Sequence, residues 1–217
     1  EVIEVINTSW RPLIYAGGGI KMAQATEILK AFAEKSGIPI VNSLMGLGSM
    51  PLTHPLALGL SGMHGHVEAN EAITHCDLLI VVGARFSDRA IGTSSTYASR
   101  ATIVHLDIDD TEFSKNIDCH LYVKGDLKTN LEALLYNIEE RFHPDWLKWI
   151  ESQKKPAISS EVYCPQNVVK TLDHMTPDET ILVADTGQHQ MWAAQNWQFK
   201  HPNGLVTSGG LGTMVYG

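Results

Sequence analysis

The stretch LLIVVGA, residues 78–84, is the longest apolar run in the sequence and decides how the remainder is interpreted. A helix that crosses a membrane needs about 20 such residues, so a run of this length is typical of a buried β-strand. Further β-rich runs lie on both sides of it, namely PLIYA, IPIVN, TIVHLDI and HLYVKG, and helical stretches separate several of them. Alternating strands and helices predict an α/β domain over residues 11–141, with a parallel sheet of about six strands and helices on both faces.

Two predicted helices carry apolar stripes that would cover this sheet. Residues spaced three or four apart share one face of a helix, and an apolar face packs on a core. Asp126 precedes the second of these helices and is predicted to cap it. The stripes are Met22, Ala25, Ile28, Leu29 and Phe32 in the first helix, and Leu127, Leu131, Leu134, Leu135 and Ile138 in the second.

The composition excludes some classes of partner. The 217 residues include 24 acidic and 16 basic side chains, which gives a formal net charge of −8. Nucleic acids and anionic membrane surfaces attract clusters of Lys and Arg, and none is present, so small molecules are the expected partners. Cys76, Cys119 and Cys164 form no metal-type pair and are interpreted as packing residues in a reducing compartment.

The chain divides into two predicted units. Residues 1–143 form a central domain, residues 144–164 an interdomain linker with a Lys-Lys-Pro-Ala passage, and residues 165–217 the start of a second α/β unit. In this second unit, strands are predicted in TILVA and in the stretch that ends in SGGLGTM, and a helix is predicted after TGQHQ. Two strands are too few to close a sheet around a core, so we interpret the chain as a fragment of a longer protein.

Glycines and charged residues follow two of the predicted strands. Residues 17–19 are three glycines between a strand and a helix, where backbone N–H groups could meet a phosphate, although a tight turn explains them equally well. Arg85 and Arg89 follow the most apolar strand and suit a phosphate or a flavin carbonyl. The alternative is a surface ion-pair cluster that includes Asp88.

Three further sites have weaker signals. Asp107 ends a strand, where its carboxylate could bind a ribose hydroxyl or cap a helix. His64 and His66 lie in a Gly- and Met-rich region, residues 42–70, predicted as a long loop; they lack a third ligand, which disfavours zinc. Gln188 and His189 begin a helix, where free N–H groups and the helix dipole favour a diphosphate oxygen.

These motifs together resemble one enzyme family. GQHQMWAAQ and SGGLGTM are similar to the start of the cofactor-diphosphate domain of acetohydroxyacid (acetolactate) synthases, which depend on thiamine diphosphate. LMGLGSMPLTHPLALGLSGMHG and GARFSDR are similar to the central, FAD-binding domain of that family. The resemblance implies a parallel six-stranded Rossmann-like domain of the DHS-like NAD/FAD-binding type, followed by the truncated start of a thiamine diphosphate-binding α/β domain.

The resemblance also implies which residues contact each cofactor. The family's catalytic glutamate belongs to an N-terminal domain and its magnesium ligands would follow Gly217, so no catalytic residue and no metal ligand is expected within this chain. Asp185 is interpreted as a strand-end residue, and Met214 as the apolar wedge that bends the cofactor. The implied FAD contacts are Gly17, Gly18, Ser43, Leu44, Gly62, Met63, His64, Gly83, Arg85, Arg89, Asp107, Ile108 and Asp126. The implied thiamine diphosphate contacts are Gly187, Gln188, His189, Gly212 and Met214.

Two positions depart from the family pattern. Ser87 stands where the family has an aspartate, which removes one carboxylate near the flavin. Val215 stands where the family has a glycine. A β-branched residue would be strained there if the position requires a positive φ.

As a whole, the resemblance implies decarboxylation of pyruvate and condensation with a second 2-ketoacid, for branched-chain amino acid biosynthesis. The implied cofactors are thiamine diphosphate, magnesium and FAD, and the implied partners are 2-ketoacids, further copies in a homodimer or homotetramer, and a regulatory subunit. The implied location is cytoplasmic in a bacterium, and a plastid or mitochondrion in a eukaryote. The alternatives are a non-catalytic nucleotide-binding module and a pyruvate oxidase-type flavin enzyme. The chain alone is expected to be inactive.

Overall fold

A fully parallel six-stranded sheet forms the centre of the first part of the chain. The computed structural model describes residues 1–154 and 164–215. The spatial order of the strands is β3-β2-β1-β4-β5-β6, which confirms the predicted fold class. The strands are β1 (Pro12–Ala16), β2 (Ile40–Asn42), β3 (Ala57–Leu60), β4 (Leu78–Val82), β5 (Thr102–Asp107) and β6 (Leu121–Lys124).

Helices cover both faces of this sheet, as predicted. The helices are α1 (Val2–Thr8), α2 (Gly19–Met22), α3 (Thr26–Ser36), α4 (Val67–His75), α5 (Asp88–Ile91), α6 (Leu127–Asn137) and α7 (Pro144–Ser152). One hydrophobic cluster joins α1, α3 and α6 to the sheet, and a second joins α4 and α7 to it. Successive residues of a strand point to opposite faces, so Ile14 of β1 belongs to the first cluster and Tyr15 to the second.

The first predicted helix is interrupted. α2 ends at Met22 and α3 begins at Thr26, because Gln24 between them has a φ of 51° and cannot continue a right-handed helix. Met22 is 89% exposed, so its assignment to the core-facing stripe is wrong. The other members of that stripe are buried or pack against the core, and so are those of the last helix: Ala25, Ile28, Leu29, Phe32, Leu127, Leu131, Leu134, Leu135 and Ile138.

The region predicted as one long loop, residues 42–70, contains regular structure. It holds a 3-10 turn (Leu44–Gly46), the strand β3 and the beginning of α4. β3 is an edge strand that pairs with β2 alone, with an irregular register and with Gly59 at a φ of 77°. A short edge strand that contains glycine has little β-propensity, which is why the sequence pattern does not reveal it.

Part of the predicted linker is a helix that packs on the sheet. α7 buries Trp146 and Ile150 in the second cluster, and the Trp146 indole Nε1 donates a hydrogen bond to the Pro12 carbonyl oxygen at 3.0 Å. The remainder of the predicted linker lies mostly in residues 155–163, outside the described residues, so the domain boundaries stay a prediction.

The second unit contains α8 (Pro165–Met175), β7 (Leu182–Ala184), α9 (Gln188–Asn196) and β8 (Leu205–Thr207). β7 and β8 pair in parallel as a two-stranded sheet. The Leu52 amide of the first unit donates to the Phe199 carbonyl oxygen of the second at 3.2 Å. A third hydrophobic cluster also joins the two units. Its buried members are Leu47 and Leu60 from the first unit and Ala194, Trp197, Phe199 and Leu205 from the second.

The burial of the three cysteines and the character of the helices bear on the expectations drawn from composition. Cys76 and Cys164 are buried, as packing residues would be, whereas Cys119 is half-buried. Within the described residues, none of the helices combines the length and the apolar character needed to cross a bilayer.

Candidate functional site

The strand order reverses between β1 and β4, and the glycine turn lies at this point. In open parallel sheets, ligands bind in the crevice outside the carboxyl ends of strands where the order reverses. The Gly17 amide donates to the Val82 carbonyl oxygen at 2.9 Å, and the Gly19 amide to the Gly83 carbonyl oxygen at 3.0 Å. The turn after β1 and the turn after β4 are therefore in direct contact at the point where the strand order reverses.

The three glycines of the turn have different reasons to be glycine. A Cβ on Gly17 would lie 2.6 Å from the Ala84 Cβ and closer still to the Gly83 carbonyl oxygen, and one on Gly19 would lie 2.8 Å from the Gly83 Cα. These two positions support the tight-turn interpretation. A Cβ on Gly18 would meet only the Met45 side chain, at 3.1 Å, and its backbone. Strand packing therefore does not require glycine at position 18, and its contact with a ligand stays a prediction.

Loops from neighbouring strands adjoin the glycine turn. The Ser43 amide, just after β2, donates to the Ala16 carbonyl oxygen at 3.0 Å, and Leu44 follows in the 3-10 turn. The Met63 amide, after β3, donates to the Arg89 carbonyl oxygen at 3.0 Å. Gly62 has a φ of 101°, Met63 is 72% exposed, and His64 is exposed. The predicted flavin residues on β1, β2, β3 and β4 therefore share one edge of the sheet.

Two exposed arginines stand at this edge. Among the described residues, neither Arg85 nor Arg89 makes an ion pair, and Asp88 makes none either. The surface ion-pair cluster is therefore not formed. Guanidinium groups without a carboxylate partner, beside a crevice, suit a ligand that carries phosphates.

The remaining predicted flavin residues lie on the outer strands. Asp107 is the last residue of β5, Ile108 follows it, and Asp126 lies just after β6. The Asp126 carboxylate accepts hydrogen bonds from the Thr129 amide at 2.9 Å and its hydroxyl at 3.0 Å, which confirms the predicted helix cap and lowers the pKa of the Asp126 carboxyl group. The Asp107 carboxylate accepts from the Asp109 amide at 3.0 Å, so part of its capacity is used locally.

A metal site at the two histidines receives no support. The His66 ring packs against Gly59, where a Cβ would lie 2.7 Å from the ring Cδ2 atom, and burial lowers the pKa of His66. Across residues 1–154 and 164–215, no three His, Cys, Asp or Glu side chains are grouped so that they could hold a metal ion.

A second site lies at the carboxyl ends of β7 and β8. The Thr186 hydroxyl, after β7, donates to the Thr213 carbonyl oxygen at 3.5 Å, which brings the two loops together. Gly187 has a φ of 154°, which favours glycine, and the His189 ring lies against it, 2.9 Å from the position of a Cβ. Gln188 and His189 are exposed in the first turn of α9, where the positive end of the helix dipole favours an anion.

The third polar residue of the Gln-His-Gln run has a structural role. Gln190 is buried and donates through Nε2 to the Thr207 hydroxyl at 2.6 Å. That hydroxyl in turn donates to the Ala184 carbonyl oxygen at 2.7 Å. These two hydrogen bonds fasten the beginning of α9 to β7 and β8, so Gln188 and His189 project from a fixed base.

The loop after β8 carries the remaining predicted residues. Gly212 has a φ of 65°, and the side chain of Met214 is 66% exposed, so it is accessible to a cofactor. Val215 has a φ of 59° and is 87% exposed. The expected strain at this β-branched residue is therefore present.

Two contacts that the sequence does not predict connect the two sites. The Gln195 side chain on α9 donates through Nε2 to the His64 carbonyl oxygen at 2.7 Å. The Met45 side chain lies against Gly209, whose Cβ would stand 2.7 Å from the Met45 Cγ, and Met45 also adjoins Gly18. The one available signal is that Gln195 follows Gln188 by seven residues, which places both on one face of α9.

The cavities that the structure shows elsewhere are separate from these sites. One of about 340 Å³ lies near the amino ends of β5 and β6 and is lined by side chains from residues 94–103 and 114–120. Another, of about 420 Å³, is lined by Trp10, Arg11, Asp145, Trp146 and Trp149. Neither includes a residue predicted to contact a cofactor.

Two known domain families match the two parts of this chain. Residues 1–134 match the model of the "Thiamine pyrophosphate enzyme, central domain", and residues 185–217 match the "Thiamine pyrophosphate enzyme, C-terminal TPP binding domain". The acetolactate synthase large subunit of Lactococcus lactis is 38% identical over 224 residues, which cover 100% of this chain and 39% of that protein. The chloroplastic acetolactate synthase of Arabidopsis thaliana is 41% identical over 228 residues, covering 100% of this chain and 34% of that protein.

The chain spans 39% and 34% of the lengths of these two relatives. The central-domain model alone accounts for more than half of its residues, and the second model coincides with the loops that follow β7 and β8. Thiamine pyrophosphate is another name for thiamine diphosphate, the cofactor expected at those loops. On these matches, the chain belongs to the thiamine pyrophosphate enzyme family.

Proposed function

We propose that this chain is the flavin-binding domain, with part of the thiamine diphosphate-binding domain, of an acetolactate synthase. The reaction is the decarboxylation of pyruvate and its condensation with a second 2-ketoacid, which yields acetolactate or acetohydroxybutyrate for branched-chain amino acid biosynthesis. The observation that carries the proposal is the 38–41% identity to acetolactate synthases, which extends over the whole chain and both candidate sites.

The residues at the second site fit a diphosphate. Bound thiamine diphosphate supplies the acidic thiazolium carbon on which pyruvate decarboxylation depends. Gln188 and His189 donate hydrogen bonds to the diphosphate at the positive end of α9. Gly212 allows the backbone to approach the cofactor, and Met214 shapes its conformation through an apolar contact.

The residues at the first site fit FAD. Gly18 leaves room for close approach of a phosphate, and Arg85 and Arg89 balance its charge. Met63 and His64 present an exposed apolar and polar surface to the flavin. The net reaction transfers no electrons, so we assign FAD a structural role.

The described residues contain no group of three His, Cys, Asp or Glu side chains that could hold magnesium by themselves. We propose that it neutralises the diphosphate charge through ligands elsewhere in the enzyme. Asp185 directly follows β7 and stays assigned as a strand-end residue.

The partners and the location are proposed with the function. The substrates are 2-ketoacids, and the enzyme assembles as a homodimer or homotetramer, with a regulatory subunit as a further partner. In a bacterium the enzyme is cytoplasmic. In a eukaryote it lies in a plastid or mitochondrion, in keeping with the word chloroplastic in the Arabidopsis thaliana relative's name.

The test is a chimera in which this chain replaces the matching segment of the Lactococcus lactis enzyme. With thiamine diphosphate, magnesium and FAD, the purified chimera should convert pyruvate to acetolactate, and its flavin should stay oxidised under anaerobic conditions. Flavin reduction by pyruvate would favour the pyruvate oxidase type. A folded chimera that binds FAD but forms no acetolactate would favour a non-catalytic nucleotide-binding module.

A further inference from the structure

The loop between β3 and α4, residues 61–66, is anchored at its base from within the first unit. The Gly62 amide donates to the Asn70 side-chain oxygen at 2.8 Å, and the Asn70 amide group donates to the Gly62 carbonyl oxygen at 2.9 Å. The His66 amide donates to the Leu60 carbonyl oxygen at 2.8 Å. The Gly65 amide also donates to the Gly62 carbonyl oxygen at 2.9 Å, which closes the turn from within the first unit. None of these bonds engages the carbonyl oxygen of the His64–Gly65 peptide.

That peptide is bound by the second unit. The His64 carbonyl oxygen accepts the hydrogen bond from Gln195 Nε2 at 2.7 Å, a short distance for an N–H···O bond. On the other side of the loop tip, the Met63 amide is held by the Arg89 carbonyl oxygen. The two exposed side chains of the tip, Met63 and His64, are thus oriented by one contact from each side.

Gln195 projects from a rigid element. Its neighbour Ala194 is fully buried and Trp197 is 6% exposed, both in the third hydrophobic cluster, which also contains Leu60 at the base of the loop. The beginning of the same helix is fastened by Gln190. A side chain on a well-packed helix can hold a loop in one orientation, because little else in its surroundings can move.

We infer that Gln195 is a positioning residue of the flavin site: it orients the His64 loop, so that a side chain of the second unit completes a crevice built on the first. The inference rests on the proposed function and names a further residue of the same site. Without the amide donor, the loop tip keeps only its bonds within the first unit and samples more orientations, and restricting them when the flavin binds weakens binding. From the usual net contribution of a neutral hydrogen bond, we expect a dissociation constant about fivefold higher.

The test measures FAD affinity and local hydrogen exchange for two variants of the 217-residue chain. Gln195→Met keeps the length of the side chain and removes the donor, and Gln195→Glu replaces the donor by an acceptor that faces the His64 carbonyl oxygen. Gln198→Glu is the control, because Gln198 is exposed just beyond the same helix and the substitution changes the net charge equally. FAD binding is followed by fluorescence titration.

We expect weaker FAD binding in the order parent and Gln198→Glu, then Gln195→Met, then Gln195→Glu. Amide exchange in residues 61–66 should accelerate in both Gln195 variants, with the melting temperature and the exchange of α9 unchanged. Faster exchange throughout α9, with a lower melting temperature, would mean a structural role only and overturn the inference. A parent that binds FAD with variants of equal affinity overturns the inference alone, whereas a parent that does not bind FAD overturns the proposed flavin site as well.

Discussion

Gly17→Ala should lower the stability of the fold, whereas Gly18→Ala should lower the affinity for FAD, although the two residues are adjacent. At Gly17 the added Cβ would lie 2.6 Å from the Ala84 Cβ and nearer still to the backbone of Gly83, so β1 and β4 would have to separate at the centre of the sheet. Overpacking of this kind costs about 1–3 kcal/mol, and we expect the upper end because the obstacle is backbone. For a chain of this size, about 3 kcal/mol lowers the melting temperature by roughly 6–12 °C.

At Gly18 the backbone has a φ of −63° and a ψ of −23°, which alanine adopts freely. The nearest atom is the Met45 Cβ at 3.1 Å, so the short 3-10 turn that carries Met45 has to shift by only a few tenths of an ångström. Gly18→Ala should therefore melt within about 3 °C of the parent. It should nevertheless bind FAD at least about tenfold more weakly, because the Cβ occupies the space that a phosphate approaches. Circular dichroism melting and flavin fluorescence titration measure the two effects. Equal melting temperatures for Gly17→Ala and the parent would refute the packing argument, and unchanged FAD affinity in Gly18→Ala would refute the assignment of Gly18 to the flavin.

Three further changes test other parts of the structure. Arg89→Ala removes an exposed cation from the crevice and should raise the FAD dissociation constant about tenfold or more, with little change in melting temperature; an unchanged constant in a fluorescence titration would count against the site. Thr207→Val leaves the buried Gln190 amide without its partner and should lower the free energy of unfolding by about 1–3 kcal/mol in urea titrations, and a difference too small to detect would contradict the fastening role. Burial lowers the pKa of His105, so the unfolded chain binds more protons below about pH 6.5 and stability is lost as the pH falls. His105→Gln should make the loss of stability between pH 7.5 and 5.5 smaller. It should not abolish that loss, because the pKa values of His66 and His143 are also lowered and both residues remain. An equal loss in the variant and the parent would show that His105 contributes nothing.

The parallel sheet was predictable because its strands are nearly continuous apolar runs. β1 and β4 are buried along their whole length on both faces, and short apolar runs of this length are typical of strands in a parallel sheet. β3 was not predictable because it is an edge strand with a glycine inside it. The break after Met22 depends on a positive φ at Gln24, and glutamine gives no local sign of that conformation.

The sites were predictable to the extent that glycine and charge mark them. The glycine turn and the two arginines follow strands, so their common edge could be inferred from the topology of a parallel sheet. Family resemblance, rather than spacing, supplied the identities of the cofactors. The hydrogen bond from Gln195 to His64 joins residues 131 positions apart, and the spacing that places Gln195 on the face of Gln188 does not reveal its partner.

The third hydrophobic cluster has a consequence for how such enzymes can be recombined. Leu47 and Leu60 of the first unit are buried against Trp197, Phe199 and Leu205 of the second, so each unit supplies part of the apolar core that the other packs on. Exchanging one unit for its counterpart from another protein would replace half of an apolar core and leave the other half unmatched. In evolution and in engineering alike, the useful crossover points should lie outside the third hydrophobic cluster, so that the residues of both units that form it are transferred together.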